Sequence, residues 1–156
     1  MTNPVPTGFH TLTPHLIVAD GAAAIEFYKK AFGAQENTRL LTPDGKTVMH
    51  AQLTIGNSVF MLGGEFPPNA LSPKSRGGTG VFLHLYVADA DAMFDRAVQA
   101  GCLIRMPMSD TFWGDRYGVV EDLSGHQWSI ATHKHDYTQA QIEANAKAFF
   151  AKLPKC

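Results

Sequence analysis

The stretch His15-Leu16-Ile17-Val18-Ala19-Asp20 returns sixty-nine residues later as His84-Leu85-Tyr86-Val87-Ala88-Asp89, with a single change. The same offset carries Gly56 of Ile55-Gly56-Asn57 onto Gly125 of Ser124-Gly125-His126. Two features that share one offset indicate a duplicated module, which constrains the architecture more tightly than any local propensity.

In module one, a strand over about 12–19 runs into Asp20, whose carboxylate can accept from the free N–H groups that open a helix. Ile25, Phe27, Tyr28 and Phe32 recur at helical spacing, and Gly33 supplies the stop. Extended segments follow at about 37–42 and 47–54, separated by the turn Thr42-Pro43-Asp44-Gly45. Gly56 then turns the chain into Val59-Phe60-Met61-Leu62, completing a β-α-β-β-β unit over about 10–66. Module two, about 81–133, repeats the plan: a strand at 81–88, a helix at about 90–100 stopped by Gly101, and strands near 103–107, 116–121 and 127–132. Residues 63–80, rich in glycine and proline, join the modules as a lid or a hinge. Thr138-Gln139-Ala140-Gln141 forms a capping box for a last helix over about 138–152, with Ile142, Ala146, Phe149 and Phe150 on one side. That helix has no counterpart in module one and is expected to pack on the outside or on a partner subunit.

One α+β domain follows from 156 residues with 45% apolar content. A net charge of −1 without a basic stripe gives no reason to expect nucleic acid. No apolar run approaches the roughly 18 residues that span a membrane, and Met1-Thr2-Asn3-Pro4 lacks a signal-peptide profile. Cys102 and Cys156 have neither disulfide-framework nor metal-site spacing. These features predict a soluble cytoplasmic protein.

Side chains alternate across a strand, so each repeated stretch has two faces. Leu16 and Val18, or Leu85 and Val87, form an apolar face expected beneath the module's helix. Thr13, His15 and Ile17, or Phe82, His84 and Tyr86, mix polar and aromatic groups, as the concave side of a sheet around a ligand would. A hydrogen-bonded core histidine explains either His alone; two at equivalent positions favour a shared site.

The duplicated strand–Val-x-Asp–helix ending in Phe27-Tyr28-Lys29-Lys30-Ala31-Phe32-Gly33-Ala34 resembles the glyoxalase/bleomycin-resistance (vicinal oxygen chelate) superfamily. Phe112-Trp113-Gly114-Asp115-Arg116-Tyr117-Gly118 and Glu121-Asp122-Leu123-Ser124-Gly125-His126-Gln127-Trp128 are similar to its PhnB-like branch. The resemblance covers about 10–133. It implies two modules whose sheets curl around a shared cavity, helices outside, in a homodimer whose modules pair within or between chains. It leaves activity open among lyases, dioxygenases, thiol transferases and drug-sequestering proteins.

Metal-dependent members place ligands seven residues before each helix-capping Asp and four after each hairpin Gly. Here those positions are Thr13, Phe60, Phe82 and Ser129, none a His or a carboxylate. The usual metal site is therefore expected to be absent, with no cofactor, and these residues to line the cavity instead. Family parity turns Tyr117 and Val119 inward, and the offset takes Val119 onto His50, with Gln52 two residues along. Convergence of His15, His50 and His84 would give a substitute divalent-metal site; separate hydrogen-bonding roles toward a polar ligand are the competing reading. The expected ligand contacts are thus Thr13, His15, His50, Gln52, Phe60, Phe82, His84, Tyr86, Tyr117 and Ser129. Two functions stay open: binding a small, partly apolar molecule without chemistry, or a metal-dependent lyase or dioxygenase-like enzyme with a relocated histidine site.

Other residues carry less. Ser129, His126 and Asp122 lie on one hairpin without a nucleophile elbow, and Asp122 reads as a turn residue. Cys102 reads as a buried thiol, Arg116 as a structural ion-pair partner, Trp128 as core and Trp113 as a residue at the cavity mouth.

Overall fold

A computed structural model describes residues 2–154, and Cys156 lies outside them. Module one comprises β1 (His15–Val18), α1 (Gly21–Phe32), β2 (Gln35–Leu41), β3 (Val48–Ile55) and β4 (Ser58–Gly64). A short helix, α2 (Pro73–Arg76), lies in the connection. Module two comprises β5 (Phe82–Tyr86), α3 (Ala90–Ala100), β6 (Leu103–Asp110), β7 (Asp115–Glu121) and β8 (Gln127–His133); α4 (Gln139–Ala151) follows. The Asp carboxylates start the helices as their positions imply: Asp20 accepts from the Ala23 amide at 3.0 Å and Asp89 from that of Ala92 at 2.9 Å.

Each module builds a four-stranded sheet, in the orders β1-β4-β3-β2 and β5-β8-β7-β6. The helix crossover makes the first strand of each module parallel to the last, while the hairpins keep the other neighbours antiparallel. Leu16 and Val18 are buried beneath α1 with Ala51, Leu53 and Leu62, so this strand has the faces that alternation predicts. Leu85 and Val87 lie on the matching face but stay half-buried. The reason is the helix above them: α3 buries only Ala90, Phe94 and Ala97, where α1 buries Ala24, Ile25, Phe27, Tyr28, Ala31 and Phe32.

The two modules share one core. Trp128 of β8 packs against Phe32, Tyr28 and Phe60, with ring centroids 4.6, 5.5 and 6.1 Å away. Buried Asp122 accepts from the Tyr28 hydroxyl at 2.7 Å and the Trp128 indole at 2.9 Å with one oxygen. Its other oxygen accepts from the Ser124 and His126 amides at 2.9 and 3.0 Å. It is a turn residue, as expected, and also the polar link between modules. Arg96 of α3 donates to the Lys29 and Lys30 carbonyls, a cation at the C-terminal end of α1. His126 Nε2–H donates to the Ile17 carbonyl at 2.8 Å, and the Ala19 amide to Ser124 Oγ at 3.1 Å, tying edge strand β1 to module two.

Gly63 and Gly64 belong to β4 rather than to the connection. A Cβ on Gly63 would stand 2.6 Å from the Met49 carbonyl, so the close strand approach needs glycine there. Beyond them the segment is partly anchored: the Ser72 amide donates to Glu65 at 2.8 Å and the Lys74 amide to the Ser124 carbonyl at 2.9 Å. Hydrogen exchange should therefore be at least about tenfold slower at Ser72 and Lys74 than at Thr79 and Gly80. Equal rates would mean that the anchor does not hold in solution. No residue of α4 is buried; it is held by Asn145 Nδ2 donating to the Phe112 carbonyl at 3.2 Å, and by Phe149 and Phe150 against Phe112.

Candidate functional site

The face of each sheet turned away from its helix carries the residues of interest. On sheet one, Gln52 pairs with Met61, and Met61 with His15. On sheet two, Val119 pairs with Ser129, and Ser129 with His84. These rows correspond, so the counterpart of Val119 is Gln52 and not His50. His50 corresponds to Tyr117 instead, and the two positions do the same thing. His50 meets His15 edge-to-face at 5.6 Å between ring centroids, and Tyr117 stacks on His84 at 6.0 Å. Each sheet thus presents a histidine beside a second ring.

Phe60, expected on this face, is instead buried in the core beneath the helices against Tyr28 and Trp128. The two hairpins explain why. Ile55 pairs with Ser58 across two residues, whereas Glu121 pairs with Gln127 across five. An odd difference in loop length flips every following side chain relative to the repeat, so Met61 occupies the open position. Thr13 lies before β1, its hydroxyl donating to the His10 carbonyl at 2.8 Å. Ser129 is buried, its hydroxyl hydrogen-bonded to His84 Nδ1 at 2.7 Å. Phe82 and Tyr86 are exposed, and Gln52 and His50 half-buried.

The three histidines do not come together. His84 lies at a cleft of about 430 Å³ with an apolar floor of Leu16, Phe60, Leu85 and Trp128. His15 lies at a different cleft of about 380 Å³, with Ile17, Leu71, Arg76 and His126. Among the described residues, no three His, Cys, Asp or Glu side chains are grouped as a metal ion would require.

A polar cluster that the repeat does not mark stands at the far end of the same face of sheet two. Asp115, 3% exposed, pairs across the sheet with His133. It accepts from His133 Nδ1 at 2.7 Å, the Trp113 indole at 3.0 Å and the Tyr86 hydroxyl at 3.1 Å. Burial works to raise its pKa, but these donors outweigh it and hold the carboxyl below its usual range. His133 Nε2 lies 2.9 Å from Asp136, and the bonds to Asp115 and Asp136 push the imidazole pKa up. Parity was the signal available in the sequence: Asp115 lies two residues before Tyr117 on one strand face, and His133 four beyond Ser129 on the next. Neither belongs to the repeated stretch, so the repeat draws no attention to them.

Burial lowers the pKa of His15, with His50 adding to the effect, and burial lowers that of His84 against the pull of Asp115. In an NMR titration His15 and His84 should therefore lose their protons below the ordinary imidazole value of 6.5, and His133 above it. The reverse order would show that the Asp115 cluster is not formed. Cys102 is buried, its thiol pushed up to about 12 by burial foremost and by Asp122, which makes it a poor nucleophile. Arg116 turns to the opposite side and pairs with Asp91 at 2.8 Å, as a structural ion pair.

Two tandem β-α-β-β-β modules, each a four-stranded sheet with its helix on one face and the other face open, make up the glyoxalase/bleomycin-resistance fold. The chain belongs to the Glyoxalase/Bleomycin resistance protein/Dioxygenase superfamily, whose profile matches residues 8–130. An uncharacterized protein of Mycobacterium bovis is 44% identical over 137 residues, covering 85% of this chain and 90% of that one. The crystal structure of TioX from Micromonospora sp. ML1 is similar, with 28% identity, a TM-score of 0.62, and coverage of 80% of this chain and 98% of that one. A PhnB protein from Bacillus cereus, 18% identical with a TM-score of 0.59 and coverage of 79% and 99%, shares the fold. No helix of the described residues is long and apolar enough to cross a membrane.

Proposed function

We propose that this protein binds a small, partly apolar molecule on the open face of module two and in the adjoining cleft, as a cytoplasmic homodimer without a resident metal. The observation that carries this reading is the ring-lined face itself. Phe82, His84 and Tyr86 stand in a row on β5, with Tyr117 stacked on His84, and the row runs into the apolar cleft between β1 and β5. An apolar surface with a few convergent polar groups is what small-molecule sites share. The positions where metal-dependent relatives would carry ligands hold Thr13, Phe82 and Ser129, with Met61 in place of the inward-turned Phe60, a set that supplies no imidazole, thiolate or carboxylate.

The dimer rests on exposed apolar residues along the edge strands: Leu40 and Leu41 on β2, and Leu103, Ile104 and Met106 on β6. Such edges are normally covered. Light scattering on the purified chain should give twice 17.0 kDa at micromolar concentration, and a species of 17.0 kDa alone would rule the dimer out. For the site, a thermal-shift screen should return flat, partly apolar compounds whose effect is lost when Tyr86 is replaced by alanine. Elemental analysis tests the competing enzyme reading. Stoichiometric metal that disappears on replacing His15 or His84 by alanine would establish a relocated metal site and overturn the metal-free reading.

A further inference from the structure

His133 is held between two carboxylates of different kinds. Asp115 is nearly inaccessible and fixed by donors from Tyr86, Trp113 and His133. Asp136 lies on the segment after β8, its side chain fully exposed, and reaches only the outer nitrogen, Nε2. Both ring nitrogens thus face carboxylate oxygens, at 2.7 and 2.9 Å. An imidazole with a single N–H would set a lone pair against one of them, so this geometry favours the doubly protonated ring, in line with the upward push the two carboxylates give its pKa. When protonated, the ring is an imidazolium oriented by the buried Asp115 carboxylate, with its outer N–H, on Nε2, directed at the exposed Asp136. Asp136 supplies a carboxylate there through an exposed ion pair, the weak kind.

Aromatic rings adjoin His133 on the same face. Tyr86, whose hydroxyl binds Asp115, has its ring 4.4 Å from that of His84, and Trp113 and Tyr117 meet at 5.6 Å. The charged and titratable groups facing His133 are Asp115 on β7, Asp136 beyond β8 and Tyr86 on β5 through Asp115, with His84 next along the face. Arg116, the nearby guanidinium, is taken up by Asp91 and Asp110. We propose that His133, oriented by Asp115, anchors the carboxylate of a ligand whose flat apolar body lies across Tyr86 and Tyr117, and that Asp136 occupies the anchor until such a ligand displaces it. This rests on the small-molecule reading above and adds the chemical class: an aromatic or similarly flat monocarboxylate.

Calorimetric titration with 2-naphthoate and its neutral counterpart 2-naphthamide, in one slightly acidic buffer, separates the two claims. The full-length protein should bind naphthoate more tightly than naphthamide. Asp136→Ala removes the internal competitor and should tighten naphthoate by about threefold or more while leaving naphthamide unchanged. His133→Gln should weaken naphthoate by about tenfold, to the level of the amide, as expected for loss of one charge-assisted hydrogen bond. Asp136 is fully exposed, so its variant reports on the anchor even if the His133 variant folds poorly. Equal affinity of the two probes for the wild type, or naphthoate binding indifferent to Asp136→Ala, would overturn the anchor while leaving the apolar site standing. Failure of both probes to bind would overturn the anchor together with the small-molecule reading.

Discussion

Asp122→Ala is expected to cost about 3–5 kcal/mol of folding free energy. Four donors converge on this carboxylate, two of them side chains buried in the shared core. Truncation leaves the Tyr28 hydroxyl and the Trp128 indole N–H without acceptors where water does not reach, and each stranded donor costs about 1–3 kcal/mol. It also frees the 122–126 turn, whose Ser124 and His126 hold β1. Burial foremost, with Asp122 beside it, pushes the Tyr28 phenol pKa well above its ordinary range, so the hydroxyl remains a donor to the carboxylate at neutral pH. Tyr28→Phe removes one donor and leaves the carboxylate three, and should cost less than the Asp122 variant. Urea denaturation followed by far-UV circular dichroism measures both losses. A midpoint for Asp122→Ala within the error of wild type would mean that the modules are held by apolar contact alone.

Leu16→Ala should cost roughly 2–5 kcal/mol, and His15→Phe, one residue away, less than 1 kcal/mol. Leu16 is 5% exposed in the core under α1, whereas His15 is exposed at the mouth of a cleft, its ring edge-to-face with that of His50 at 5.6 Å. The corresponding pair in module two should differ less. Leu85 is half-buried, so its truncation removes fewer contacts. His84→Phe strands the buried Ser129 hydroxyl, a loss of about 1–3 kcal/mol that His15→Phe does not incur. Melting temperatures of the four variants test the assignment of strand faces. If His15→Phe melts below Leu16→Ala, the open face has been assigned to the wrong side of β1, and the ligand contacts with it.

The sequence by itself determined the repeat and, through it, the fold. Asp20 and Asp89 cap helices because a carboxylate at that position meets free N–H groups whatever lies elsewhere, and Gly33 and Gly101 end those helices in the left-handed conformation. Alternation along β1 and β5 put Leu16 and Leu85 on one side and His15 and His84 on the other, because that depends on neighbouring residues alone. What lay beyond the sequence was everything set by pairing across space. The two hairpins differ by an odd number of residues, so Phe60 went into the core and Met61 took the open position, an outcome that a constant offset cannot carry. Whether His15, His50 and His84 converge depends on how the sheets are set against each other. That is decided by Trp128 on Phe32 and by Asp122 on Tyr28, contacts 96 and 94 positions apart in the chain. Asp115 and His133 became neighbours only through the register of β7 and β8, since a side chain in the sequence has a face but no partner until two strands are paired.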